Sequence, residues 1–161
     1  MSSYGVPVDQ DWLDEEKEII KQAKEIKREK NRMKRVIVES PYRGNIELNE
    51  AYGELAMHDC LVNRNESPYA SHLLYTRKFV LNDKIMQERE LGINAGFCWR
   101  SVSDKSVFYV DLGITDGMEK GITDCKKKKS KYEIRKLPEA LWCKLVVFAL
   151  ERGMKIERNV S

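Results

Sequence analysis

Two rhythms of apolar and polar positions alternate along this chain. Short apolar runs end abruptly in polar, glycine-bearing turns, and each is followed by a stretch in which apolar residues recur every three or four positions. The first rhythm reads as a buried strand and the second as a helix packed on a sheet. Arg35–Glu39 opens the series, with Val36, Ile37 and Val38 running unbroken into Ser40-Pro41-Tyr42-Arg43-Gly44-Asn45. A helix is predicted from Asn45 to about Val62, with Ile46, Leu48, Leu55, Ala56 and Leu61 as apolar positions. After the polar turn "NRNES", "PYASHLLYT" predicts a short strand running into a loop. "NDKIMQERELGINAGFCWRSV" predicts the next helix, with Asn82 or Asp83 as N-cap. Its Gly92 and Gly96 would allow close approach to the sheet. "KSVFYVDLGITDGMEKGI" repeats the first design: a strand at Val107–Val110, a glycine-rich turn and a helix. "KYEIRKL" predicts a fourth strand, and "PEALWCKLVVFALERG" a terminal helix with Pro138 in its first turn.

Ahead of this series, residues 1–10 read as a loose tail, and Asp11 to about Met33 as a strongly charged helix. Acidic residues crowd its start and basic ones its end, as the helix dipole prefers. Trp12, Ile19, Ile26 and Met33 recur at heptad spacing, with Ile20 and Ala23 beside them. That narrow stripe suits packing on the chain's own domain or on a partner helix, and is too short to require a coiled coil. The chain therefore divides into a tail and charged helix, residues 1–33, and an α/β domain, residues 34–161. Strands alternating with helices of this length imply right-handed crossovers and a mainly parallel sheet. The fold class is a small doubly wound α/β sandwich of flavodoxin or Rossmann type, with the charged N-terminal helix as an addition.

Composition narrows the function classes. The 161 residues, 42% hydrophobic and 34% charged, fit one domain with a real core and a heavily solvated surface. A net charge of +3 is small and does not by itself argue for nucleic acid, whose binders usually show a concentrated basic face, so nucleic acid is not the expected partner. The lysine run Lys126–Lys129 reads as the solvated end of a helix. Cys60, Cys98, Cys125 and Cys143 form no CxxC pair, which argues against a metal site and for free thiols in a reducing compartment. No stretch approaches the roughly 18 apolar residues of a membrane span. "MSSYGVPVDQDW" lacks the basic and apolar blocks of a signal peptide, so a cytoplasmic location is expected.

Chemistry in such a sheet belongs outside the carboxyl ends of the strands, where the strand order switches. That rule selects three loops. "SPYRGN" offers Ser40, Pro41, Tyr42, Arg43, Gly44 and Asn45; "SHLLYT" offers Ser71, His72 and a second phenol; "DLGITDGME" offers Asp111, Gly113, Thr115, Gly117, Met118 and Glu119. Arg43, with Gly44 and the helix start behind it, is either a phosphate grip or a loop arginine paired with a surface carboxylate. His72 is either a base or hydrogen-bond donor, or a structural residue. Neither GxGxxG nor a Walker sequence is present, so dinucleotide and P-loop readings lack their fingerprints, and no cofactor is implied. Glu119 falls in the first turns of a helix above a strand edge, between Gly117 and Gly121. A carboxylate there is placed to act as nucleophile or base, or simply to complement the helix dipole.

The order of elements and two of these loops resemble the nucleoside 2-deoxyribosyltransferase-like superfamily. The likeness rests on Ser40-Pro41-Tyr42 after the first strand and on Gly117-Met118-Glu119-Lys120-Gly121 at a helix start. It covers about residues 34–137 and is greatest with an uncharacterised phage and bacterial branch. What the resemblance implies is cleavage of the N-glycosidic bond of a deoxynucleotide or deoxynucleoside. Glu119 would attack C1′, Tyr42 would orient that carboxylate or the sugar, and Arg43 with nearby amides would take a 5′-phosphate. Asp111 would bind the sugar hydroxyl or the base. Enzymes of that superfamily carry an acidic residue after the second strand, where this chain has Ser71-His72-Leu73-Leu74; His72 would then serve as the acid, or the base pocket differs. The resemblance also implies a homo-oligomer. Three functions stay open at this point: an N-glycosidase or deoxyribosyltransferase; a module that binds a nucleotide or nucleotide-derived signal without cleaving it; and an adaptor that docks on a partner through the N-terminal helix.

Overall fold

A computed structural model describes residues 10–159. All but the last residue of the expected N-terminal tail lies outside the described residues, and so does the Trp12 side chain. The chain separates into two units, one ending at Met33 and one beginning at Lys34. The first holds helix α1, Gln10–Asn31, whose Ile19, Ile20 and Ile26 are exposed.

The second unit is built on four parallel strands. They are β1 (Lys34–Glu39), β2 (Glu66–Tyr69), β3 (Lys105–Tyr109) and β4 (Tyr132–Arg135), in the spatial order β2-β1-β3-β4. β1 pairs in parallel with both β2 and β3, and β3 with β4. Alternation along the strands sorts their side chains to two faces. Val36, Val38, Val107 and Tyr109 pack with Leu48, Tyr52 and Ala56 of α2 (Ile46–His58) and Leu141, Leu145 and Ala149 of α6 (Glu139–Glu151). Phe108 and Val110 pack with Met118 and Cys125 of α5 (Asp116–Lys127). Each fully buried aliphatic side chain here contributes roughly 1.5–3 kcal/mol. Helices thus cover both faces, and the fold is the doubly wound α/β sandwich. The chain steps outward from β1 to β2, then crosses back to β3, so the order reverses between β1 and β3.

Local chemistry sets the boundaries. Asn45 caps α2, its Oδ1 accepting from the Leu48 amide at 3.2 Å. The helix predicted to run to Val62 widens at its end into a π-helical turn, Asp59–Asn63, with both Asp59 and Cys60 fully buried. Asp59 accepts there from Tyr109 Oη, Asn63 and Arg64. Nearby, buried Glu66 takes two bonds from Arg135, at 2.7 and 3.0 Å, and pairs with Lys105 at 2.8 Å. Burial pushes the Glu66 carboxyl up, but those cations outweigh it and hold it at about 2.

Four expectations are corrected. β2 begins at Glu66, and the "SHLL" expected in a strand-to-loop passage is a helical turn, α3 (Ser71–Leu74). α4 spans Met86–Arg100 and starts after Ile85, not at Asn82 or Asp83. Those two side chains are used elsewhere: Asn82 Oδ1 accepts from the Lys84 amide, and Asp83 from Arg43. Gly92 and Gly96 face Leu81, Tyr75 and Ser71 rather than the sheet. Pro138 is the N-cap of α6, not its first helical residue.

Candidate functional site at the carboxyl edge

The loops after β1, β2 and β3 and the inner face of α4 enclose a cleft of about 330 Å³ over the β1/β3 switch. Of the residues named from the sequence, Ser40, Tyr42, Arg43, Ser71, His72, Thr115, Gly117 and Met118 line it together. Pro41, Gly44, Asn45, Asp111, Gly113 and Glu119 are not part of its lining. Gly44 shapes the first loop with φ +97°, a conformation that favours glycine, and Asn45 is spent on capping α2. Glu119 is exposed on α5.

Ser40 and His72 form the polar centre. Ser40 is buried, and its Oγ lies 2.8 Å from His72 Nε2. The imidazole Nδ1 is buried without a hydrogen-bond partner among the described residues. Burial lowers the His72 pKa to about 4, so the ring is neutral at physiological pH and offers one donor and one acceptor. Tyr42 meets it edge-on, ring centroids 6.4 Å apart. Tyr75 and Phe97 add further aromatic surface to the wall.

Charges ring this centre. Arg43 lines the cleft and is also paired, donating from Nε to Asp83 Oδ2 at 3.0 Å, with Arg89 3.6 Å from the same oxygen. The structure thus shows the paired alternative for Arg43, on a residue that also lines the cleft. The N-terminus of α5 points its first turn at the cleft through Thr115, Asp116, Gly117 and Met118. Thr115 is the N-cap, its Oγ1 3.4 Å from the Met118 amide, and first-turn amides of this kind lack intrahelical acceptors.

Glu39, the last residue of β1, also lines the cleft. Its Oε1 accepts from Arg100 Nη2 at 2.7 Å, and Arg100 also donates to Asp124 and to the Gly121 carbonyl. Burial raises the Glu39 pKa, with Arg100 pulling the other way. Sequence reasoning saw this residue only as the end of a strand. The signal available was an acid closing an otherwise apolar run; its partner lies 61 positions away.

Asp111 has a different fate. It is fully buried just beyond β3, where Oδ2 accepts from Tyr52 Oη and the Leu137 amide, each at 2.8 Å, and Oδ1 accepts from Arg158 at 2.7 Å. Its acceptor sites are committed to holding α2, the β4–α6 turn and the C-terminal segment together.

Over residues 34–135 the chain matches the family described as Domain of unknown function (DUF7768). It belongs to that family. The match takes in β1 to β4 and hence every strand-end loop of the cleft. No curated protein and no solved structure matches this chain. Among the described residues, no group of three or more His, Cys, Asp or Glu is arranged to hold a metal ion. No helix among them is long and apolar enough to cross a membrane.

Proposed function

We propose that this DUF7768 chain takes a nucleoside or nucleotide into the carboxyl-edge cleft and cleaves its N-glycosidic bond. The observation that carries the reading is the make-up of the cleft at the strand-order switch. Aromatic walls and a neutral Ser40–His72 pair suit a base, while Arg43, Arg89 and the α5 N-terminus suit a phosphate. The resemblance of Ser40-Pro41-Tyr42 to the deoxyribosyltransferase-like loop supports the same substrate class. A homo-oligomer is part of this reading, to be checked by sedimentation.

The test is chromatography of free base after incubating the protein with mixed deoxynucleosides and deoxynucleoside monophosphates. Release from at least one of them is expected; recovery of every ligand intact sinks the reading. The second reading, binding without turnover, is favoured by one observation: Glu119 is exposed and does not line the cleft. It predicts a raised melting temperature with the ligand recovered unchanged, and a flat profile across all nucleotides would count against it.

A further inference from the structure

Resting on the proposed glycosidic reading, we infer that the reacting carboxylate of this cleft is Glu39, fixed from below by Arg100, and not Glu119. Four carboxylates line the cleft: Glu39, Asp83, Glu88 and Asp116. Asp83 is bridged by two arginines, Arg43 and Arg89. Glu88 reaches back to the Asn82 amide, and Asp116 is exposed. Glu39 alone is both withdrawn from water and oriented by a buried cation: its side chain is 17% exposed and that of Arg100 is 2%. Oε1 faces Arg100, and Oε2 has no hydrogen-bond partner among the described residues, on a side chain that lines the cleft. A carboxylate pinned by one oxygen, with its other acceptor unspent, is preorganised for attack at a single position.

The surroundings are built to place Arg100. Its guanidinium lies over the Phe97 ring, 4.3 Å from the centroid, and spans Glu39 on β1 and Asp124 on α5. Gly121 supplies the room: a Cβ there would come within 2.8 Å of Arg100 Nη2 and 3.0 Å of the Phe108 ring. The glycine that flanks Glu119 in sequence thus serves Arg100, and through it Glu39. Burial, which raises the Glu39 pKa against the pull of Arg100, keeps the carboxylate poorly solvated and reactive.

The chemistry follows the retaining pattern. Glu39 Oε2 attacks C1′ of the sugar, forming an ester as the C1′–N bond breaks. The base leaves with that electron pair and takes a proton from water. The hydroxide so formed attacks C1′, the Oε2–C1′ bond breaks, and the carboxylate of Glu39 is restored. The sum is hydrolysis, with nothing oxidised or reduced.

The experiment compares wild type, Glu39→Gln, Glu39→Asp and Glu119→Gln for base release, with nucleotide-dependent melting measured on each. Glu39→Gln should lose roughly a thousandfold or more of the rate while its nucleotide-induced melting shift persists. Glu39→Asp keeps the charge for Arg100 but draws the oxygen back, and should lose roughly a hundredfold, which guards against a Gln variant that does not fold. Glu119→Gln should match wild type. Release that survives both Glu39 substitutions overturns this assignment and leaves the proposed function standing; so does release lost only in Glu119→Gln. A wild type that releases no base from any ligand overturns both.

Discussion

β1 and β3 are neighbours in the sheet; an acid, Glu39, closes the first, and another, Asp111, follows two residues after the second. Both are withdrawn from water and both meet an arginine, yet their oxygens are used differently. Asp111 accepts from a phenol, an amide and a guanidinium, so both of its oxygens are occupied by the fold. Glu39 accepts from one guanidinium, and its second oxygen has no hydrogen-bond partner among the described residues. The difference teaches that burial and an ion pair do not mark a functional carboxylate. What sets Glu39 apart from Asp111 is an unspent acceptor on an otherwise fixed side chain, and the proposed role rests on it.

The largest break in this comparison is Asp111→Asn. It leaves Arg158 without its buried anion and sets an amide NH₂ among groups that need an acceptor, so chemical denaturation should show a loss of about 3–5 kcal/mol. In the protein that remains folded, nucleotide-dependent melting should be retained, because Asp111 does not line the cleft.

His72 supplies the next. Its pKa is lowered from 6.5 to about 4 in the fold, so the neutral ring is favoured there. A lowered folded pKa gives stability that is complete above the unfolded value and is lost as pH falls through the folded one. Stability should therefore decline between about pH 6.5 and pH 4, by at most about 3 kcal/mol from this group. His72→Asn should flatten that part of the profile in denaturation curves collected across the range. Glu66, held at about 2, works in the same direction and continues the loss at lower pH.

Gly121→Ala is smaller and more selective. The added methyl presses on Arg100 Nη2 and Phe108, so the guanidinium must shift beneath Glu39. Base release should fall roughly tenfold, read as kcat, while the nucleotide-induced melting shift changes little. Smallest of all is Glu119→Gln, an exposed substitution expected to stay within about 0.5 kcal/mol of wild type by denaturant melting.

Much of this fold can be read from the chain. Val36-Ile37-Val38 and Val107–Val110 announce buried parallel strands, and the switch rule leads from them to the loops that line the cleft. Ser40, Tyr42, Arg43, Ser71, His72, Thr115, Gly117 and Met118 come together for that reason. Much of the remaining lining comes from α4 and the segment before it, through Leu81, Asp83, Glu88, Arg89 and Phe97. A strand-end rule has no access to a helix wall, whose packing is decided by tertiary contacts such as Gly96 against Ser71. The sequence offers Asp111 as a cleft residue and Glu39 only as the end of a strand for a related reason. The partners that separate them, Arg158 and Arg100, are distant in sequence and come close only when the sheet is closed. Glu119 stood out because its spacing between glycines is local, and locality is what a sequence displays best.

One measurement bears most directly on Glu39. A nucleoside monophosphate with fluorine at C2′ of the sugar slows release of a covalent sugar ester, so the ester accumulates. Peptide mass mapping after incubation should then place the sugar on the segment containing Glu39, with Glu39→Gln unlabelled. A sugar carried by Glu119 or by any other residue would contradict the assignment, and so would wild type that releases base yet carries no label.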